Sequence, residues 1–282
     1  MDVTPVAFES LGVRSMATYA EAGGKKVFID PSAALGPSRY GLPPHGLELD
    51  ALSESKRRIR ELALKSDILI ITHYHYDHHD PGETFYKNKT VLAKDIKENI
   101  NKSQMQRGRY FAEQMPESCD LRPADGGTFS FNGLTVTFSP PLPHGPEGIR
   151  LGYVLMCRLE HEGDVIVHAS DVQGPVDVKA ADWIIKAKPR LLIMDGPPTY
   201  FLGYKFSTGD MVKAKENLLR IIRETGCEVI LDHHLLRDPK YRERFAEVYA
   251  TGRARSAAEY LGVENNLLEI RRKELWRNES PN

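Results

Sequence analysis

The 282-residue sequence predicts an α/β fold, formed as one continuous domain over residues 1–282 with a helical C-terminal tail. Three observations carry that expectation. The short run ILII is apolar at every position, as a strand covered on both faces is. From Val176 onward, helical and strand-like segments alternate, the order that builds parallel strands with covering helices. Upstream, Gly23-Gly24, Asn132-Gly133 and EHEGD separate β-rich runs, so hairpins open the chain and occupy its middle. No fixed-period repeat, low-complexity tract or linker-like shift in composition divides the chain.

Taken in order, SMATYAEA and KKVFIDPS form paired strands, so two or three strands open the fold. GPSRYGLPPHG is rich in residues that turn the chain or cannot donate to a ladder, and is expected as an ordered loop. ELDALSESKRRIRELALKSD places Leu52, Ile59, Leu62 and Ala63 on one side of a helix that leads into ILII. VLAKD follows as a short strand and IKENINKSQMQRGRYFAEQM as a polar helix. The runs TFSFNGLTVTFSPP and LGYVLMCRLEHEGDVIVHASD then form two hairpins of a second sheet. VDVKAADWIIKAK, RLLIMD, TGDMVKAKENLLRIIRETG and CEVILD complete the alternation, and the tail after Asp238 is mostly helical.

Charge and composition narrow the function. With 38 Lys+Arg against 39 Asp+Glu, no global field draws the chain to nucleic acid or to an anionic membrane. Three widely spaced cysteines form neither a disulfide framework nor a CxxC zinc site, which fits a reducing cytoplasm. MDVTPVAFES lacks the features of a signal peptide, and no run reaches the roughly 18 apolar residues of a membrane span. The expectation is a soluble cytoplasmic protein.

One stretch carries the chemistry. THYHYDHHD, directly behind ILII, offers His73, His75, Asp77 and His78 in an HxHxDH pattern. At a strand's end alternate side chains aim the same way, so His73 and His75 can share one ion while Asp77 and His78 serve a second. Imidazole and carboxylate suit zinc first, with manganese or iron as alternatives. A surface loop that happens to be rich in histidine is the plain alternative, and distant partners argue against it. His144 in PLPHG, Asp171 in HASDVQG and the pair His233 and His234 in LDHHL each stand where a strand gives way to a loop.

This order of residues, spanning Thr72 to His234, resembles the metallo-β-lactamase superfamily, and the whole chain is similar to an archaeal branch of it. The resemblance implies a four-layer αββα sandwich with a one- or two-metal site at one edge. It implies that His73, His75 and His144 hold a first metal, that Asp77, His78 and a terminal histidine, His233 with the adjacent His234 as its alternative, hold a second, and that Asp171 bridges them. Departures from known branches narrow the chemistry. His75 replaces the glutamate of the flavodiiron HxExD motif, Asp171 replaces the bridging cysteine of many true β-lactamases, and the interval from Asp171 to His233 is too short for the cap of β-CASP nucleases.

The resulting expectation is a hydrolase with two divalent metal ions, acting through an activated water on a small ester, lactone, thioester or phosphodiester. An RNA or DNA phosphodiesterase is the alternative, and a non-catalytic metal-binding scaffold the third reading. Asp77 is expected as proton acceptor besides its ligand role. Asp195, at the end of RLLIMD, is a candidate for orienting a ligand or protonating the leaving group. His79 and Asp80 are candidates to orient a ligand imidazole or to cap the next turn, and Asp232, just before the terminal histidines, is a candidate of the same kind. His45, with Arg39 and Tyr40, and the aromatic segment PTYFLGYKFS are candidate walls for an anionic substrate, with solvent exposure and core packing as the plain alternatives. His161 reads as a surface residue and His168 as a hydrogen-bonded core histidine. The arginines from Arg237 to Arg255 read as a solvated helix face.

Overall fold

The computed structural model describes residues 1–279; the end of the expected tail, 280–282, lies outside them. The strands of its first half are β1 (Asp2–Phe8), β2 (Met16–Ala22), β3 (Lys25–Ile29), β4 (Ile68–Ile71), β5 (Thr90–Ala93) and β6 (Asp120–Pro123). They form one six-stranded sheet in that order, antiparallel up to β3 and parallel from β3 to β6. Helix α1 (Gly46–Lys65) precedes β4 and α2 (Lys102–Gln114) follows β5.

The second half supplies β7 (Thr128–Phe131), β8 (Leu134–Phe138), β9 (Leu142–Pro143), β10 (Tyr153–Val154), β11 (Cys157–His161), β12 (Asp164–His168), β13 (Leu191–Met194), β14 (Glu228–Leu231) and β15 (Ala254–Arg255). All but β9 and β10, which pair with each other, form a seven-stranded sheet ordered β15-β14-β13-β12-β11-β8-β7, in which β12 to β15 are parallel. Helices α3 (Val178–Ala187) and α4 (Thr208–Thr225) are the crossovers, and the tail adds α5 (Tyr241–Arg244), α6 (Ala246–Ala250), α7 (Ala257–Tyr260) and α8 (Leu268–Glu279).

Three apolar layers show how the sheets stack. Ile68 and Ile70 meet Ile166, Leu191, Ile193 and Ile230 between the sheets, whereas Leu69 and Ile71 face Ile59, Ala63 and Phe111 of α1 and α2. On the other side Leu192, Met194, Val229 and Leu231 face α3 and α4. Alternate residues of one strand therefore serve two different cores, which is why ILII, LLIM and VIL carry no polar position. This is the αββα sandwich implied by the resemblance.

Local chemistry sets the boundaries. The expected helix over 96–115 begins only at Lys102, because Asn101 caps it by accepting from Gln104 N and Asn99 takes a left-handed φ of 45°. α3 starts at Val178 behind the N-cap Asp177. The expected hairpin over 151–171 is shorter: Tyr153–Val154 leaves it to pair with Leu142–Pro143, which carries His144 inward. The expected helical tail is broken into short helices and contains β15. The loop over 36–46 is ordered because α8 docks on it: Arg272 donates to Gly36 O and Leu42 O and pairs with Glu48, and Trp276 donates to Pro43 O.

Candidate metal centre

Parallel pairing places the C-terminal ends of β3, β4, β12, β13 and β14 on one rim of the sandwich, and the polar residues that end those strands meet there. Asp30 follows β3, Thr72 and His73 follow β4, Asp171 follows β12, Asp195 follows β13, and Asp232, His233 and His234 follow β14. The backbone bond from Leu155 N to Thr72 O (3.1 Å) ties the two sheets together at this edge. Three of these junctions are strained. Asp30 (φ 50°), Ser170 (φ 54°) and His233 (φ 36°) adopt left-handed backbone, rare for residues with a side chain and concentrated at functional sites.

The side chains converge closely. His73, His75, His144 and Asp171 form one group whose donor atoms all lie within 4.8 Å of one another, and Asp77, His78 and His233 form a second. Asp171 Oδ2 stands 3.1 Å from His144 Nε2, 3.3 Å from His78 Nε2 and 3.6 Å from His73 Nε2, while its Oδ1 is 3.8 Å from His233 Nε2. His233 Nε2 is 3.5 Å from Asp77 Oδ2, and His73 Nε2 is 3.0 Å from His75 Nδ1. Thus all seven residues singled out as ligands share one rim, with Asp171 between the two groups. His234 joins a further group with Asp171 and His233.

Part of this set fits cations because the protein itself leaves the atoms unpaired. His78 Nε2, both ring nitrogens of His144, and Asp171 Oδ1 are buried without a hydrogen-bond partner, an expensive arrangement unless an ion collects the lone pairs. Burial pushes His73 well below the ordinary imidazole value, with His78 and His75 acting in the same direction. Burial and His144 bring His75 down to about 3. Burial and Arg237 likewise lower His233. His78 is the exception, since Asp171 and Asp30 outweigh its burial and raise it. Burial would raise Asp171, but His78, His234 and His233 hold it well below the carboxylate range. Neutral rings at His73, His75 and His233 beside a charged Asp171 match the protonation state that metal ligation requires.

Several supporting residues were not foreseen. Asp30, fully buried, accepts from Thr72 N (2.8 Å) and Thr72 Oγ1 (2.7 Å) and takes His78 Nδ1 at 2.8 Å, so it orients a candidate ligand. Its signal was an aspartate closing the strand KKVFI. Arg237, expected on a solvated face, is buried: its Nε donates to Glu9 (2.9 Å) and its guanidinium lies 3.1 Å from His233 Nε2. Nothing local marks Glu9, which meets Arg237 only across the fold. Arg242 does lie at the surface, paired with Glu259, while Arg244 and Arg255 are half-buried and paired with Asp238 and Glu228.

Other candidates resolve differently. Asp195 is wholly enclosed and takes His234 Nδ1 at 2.7 Å, so it orients that ring. Asp232 is structural, accepting from Ser10 N, His233 N and Ala257 N. His79 is tied to His75 O, and Asp80 caps its turn through Gly82 N. His45 is neither exposed nor at a mouth; it is buried and caps α1 by accepting from Leu47 N. Arg39 lies between the rings of Tyr40 and Tyr200 and donates to Arg237 O. Within PTYFLGYKFS the aromatics divide: Phe206 packs into a small core, Tyr200 touches Arg237 and Tyr204 stands in solvent. His168 is buried against Met16 O (3.0 Å), and His161 is half-buried beside Gly133 O.

Comparison with known proteins agrees with this architecture. No family model matches the chain. Among solved structures, the isothiocyanate hydrolase from Delia radicum gut bacteria superposes with a TM-score of 0.57 at 20% identity, covering 91% of this chain and 95% of that one. The metallo-beta-lactamase fold protein YhfI from Bacillus subtilis gives 0.50 at 17%, covering 82% and 84%. Zn(2+)-bound PqqB from Methylobacterium extorquens gives 0.54 at 13%, covering 91% and 98%. The fold is therefore that of the metallo-β-lactamases. A UPF0282 protein of Methanopyrus kandleri is 47% identical over 98% of this chain and 99% of its own length, and the chain belongs to the UPF0282 family.

Proposed function

We propose that the protein is a dinuclear metal-dependent hydrolase of the cytoplasm that acts on a small ester, lactone, thioester or phosphodiester. The observation that carries this reading is the buried convergence of unpaired imidazole and carboxylate atoms around Asp171. His73, His75 and His144 would hold one divalent ion, Asp77, His78 and His233 another, with Asp171 between them. Zinc is preferred on the donor set, and Zn(2+)-bound PqqB, similar in fold, supports that choice. Ions so held would supply the Lewis acidity that brings a water towards ionisation near neutral pH and polarises a substrate oxygen.

The chain's own groups do the rest. Asp77 keeps 19% of its side chain exposed, so of the two aspartates in the ligand set it is the one that reaches an incoming substrate. His78 and Arg237 outweigh its burial and hold it as a carboxylate, the form able to accept a proton from water and return it to a leaving group. Arg237 keeps the ring of His233 in place, and Glu9 in turn holds Arg237. Neither a serine nor a cysteine is needed as nucleophile.

The test is metal analysis of the purified protein, followed by a screen of generic esters, lactones, thioesters and bis(p-nitrophenyl) phosphate with and without chelator. Chelator-sensitive turnover is expected. A folded protein that binds two ions and turns over none of these classes supports the scaffold reading instead. His75→Ala is expected to lower metal content while leaving the chain folded, as judged by circular dichroism. Normal occupancy in that variant contradicts the ligand assignment.

A further inference from the structure

We infer that His234 is an additional metal ligand of the centre, acting through Nε2 and held in place by Asp195. This rests on the metal-binding reading above but goes beyond the resemblance, which calls for a single terminal histidine, His233 or the adjacent His234, and not both.

The inference comes from two matching triads about Asp171. On one side Asp30 takes His78 Nδ1 at 2.8 Å, and His78 Nε2 stands 3.3 Å from Asp171 Oδ2. On the other, Asp195 takes His234 Nδ1 at 2.7 Å, and His234 Nε2 stands 3.8 Å from the same oxygen. In each case a buried carboxylate at Nδ1 orients the ring so that Nε2 faces Asp171, the arrangement usual for a metal-bound histidine. His78 already belongs to the ligand set. The same geometry gives His234 the same role.

The backbone is built to allow it. Successive side chains of an extended segment point to opposite faces, so tandem histidines ordinarily cannot both face one centre. Here the left-handed φ of 36° at His233 breaks that alternation, and both rings turn inward with centroids 4.5 Å apart. Their Nε2 atoms reach the two oxygens of Asp171, each at 3.8 Å. The clamp is equally rigid. Asp195 Oδ2 accepts from Gln173 N (2.9 Å), and Leu235 N, one residue beyond His234, donates to Asp195 O (3.1 Å). Gly196 has φ 70°, and a Cβ there would lie 2.7 Å from Leu235 Cβ, so the turn behind Asp195 is pressed against the segment that carries His234. Asp195 is thus a positioning residue.

The experiment titrates Zn²⁺ and Co²⁺ into metal-stripped wild type, His234→Asn, Asp195→Asn and the half-buried control His161→Asn, with folding checked by circular dichroism. His234→Asn is expected to bind one ion at least about tenfold more weakly and to change the visible absorption of the cobalt form. Asp195→Asn should shift both readouts in the same direction, and the control should match wild type. Wild-type affinity and an unchanged cobalt spectrum in a folded His234→Asn overturn the inference. Should that variant not fold, cobalt-loaded wild type decides: a hyperfine-shifted Nδ1–H resonance from His234 supports ligation, and an unshifted one overturns it. If wild type binds neither ion, the proposed function fails as well; if it binds two and only the His234 readouts are unmoved, this inference alone fails.

Discussion

Asp30 shows how much one residue outside the HxHxDH stretch contributes to the centre. It is fully buried, sits in left-handed backbone, and satisfies Thr72 N, Thr72 Oγ1 and His78 Nδ1 at once. Asp30→Asn replaces an acceptor-only group with an amide that must turn a donor towards one of those partners. The expected result is a loss of about 1–3 kcal/mol in denaturant unfolding and of about 10–100-fold in metal affinity by competitive titration. Retention of both would show that His78 needs no such partner. The ligands themselves were legible in the sequence because imidazoles and carboxylates directly behind apolar runs are costly and hence informative. Asp30, Glu9 and Arg237 were not, because a lone aspartate at a strand end, or one glutamate and one arginine 228 positions apart, look like ordinary surface residues until the fold brings them together.

Among the elements, α2 illustrates how packing overrides propensity. Gly108 lies inside this helix, where alanine is favoured by about 1 kcal/mol on intrinsic grounds. A Cβ there, however, would stand 2.6 Å from Ile96 Cγ2 and 2.7 Å from Tyr74 Cε2. Tyr74 cannot retreat, since it is buried and its hydroxyl donates to Lys94 O at 2.6 Å. Overpacking of this kind costs about 1–3 kcal/mol, which exceeds the helical gain. Gly108→Ala is therefore expected to lower Tm, and to lower metal affinity as well, because Tyr74 lies between His73 and His75. A more stable variant with normal metal uptake would sink that account. The strands and helices that alternate in the second half were legible from periodicity almost to the residue. The short pair β9–β10 and the strand β15 were not, because two-residue strands have no period and exist only through their partners.

At the scale of the whole molecule, the centre lies where two sheets meet, so ions held there cross-link both halves of the chain. A ligand that binds only the folded state at a thousandfold excess over its Kd adds about 4 kcal/mol. For a chain of this size that corresponds to a rise in Tm on the order of 10 °C. Scanning calorimetry of metal-loaded and chelator-treated protein is expected to show that rise with a folded state in both samples, because three apolar layers persist without the ions. Equal Tm values would argue that the convergence around Asp171 holds no ion. Among the described residues no helix is long and apolar enough to cross a membrane. By itself the sequence determined the α/β alternation, the fully apolar strands and the ligand types, since each is written in a local period or in the cost of placing a polar group behind a buried run. Only the tertiary structure decided that His234 faces the centre, that Asp30 and Asp195 clamp imidazoles, and that Arg237 is buried, since these depend on which strand ends the parallel sheets set side by side.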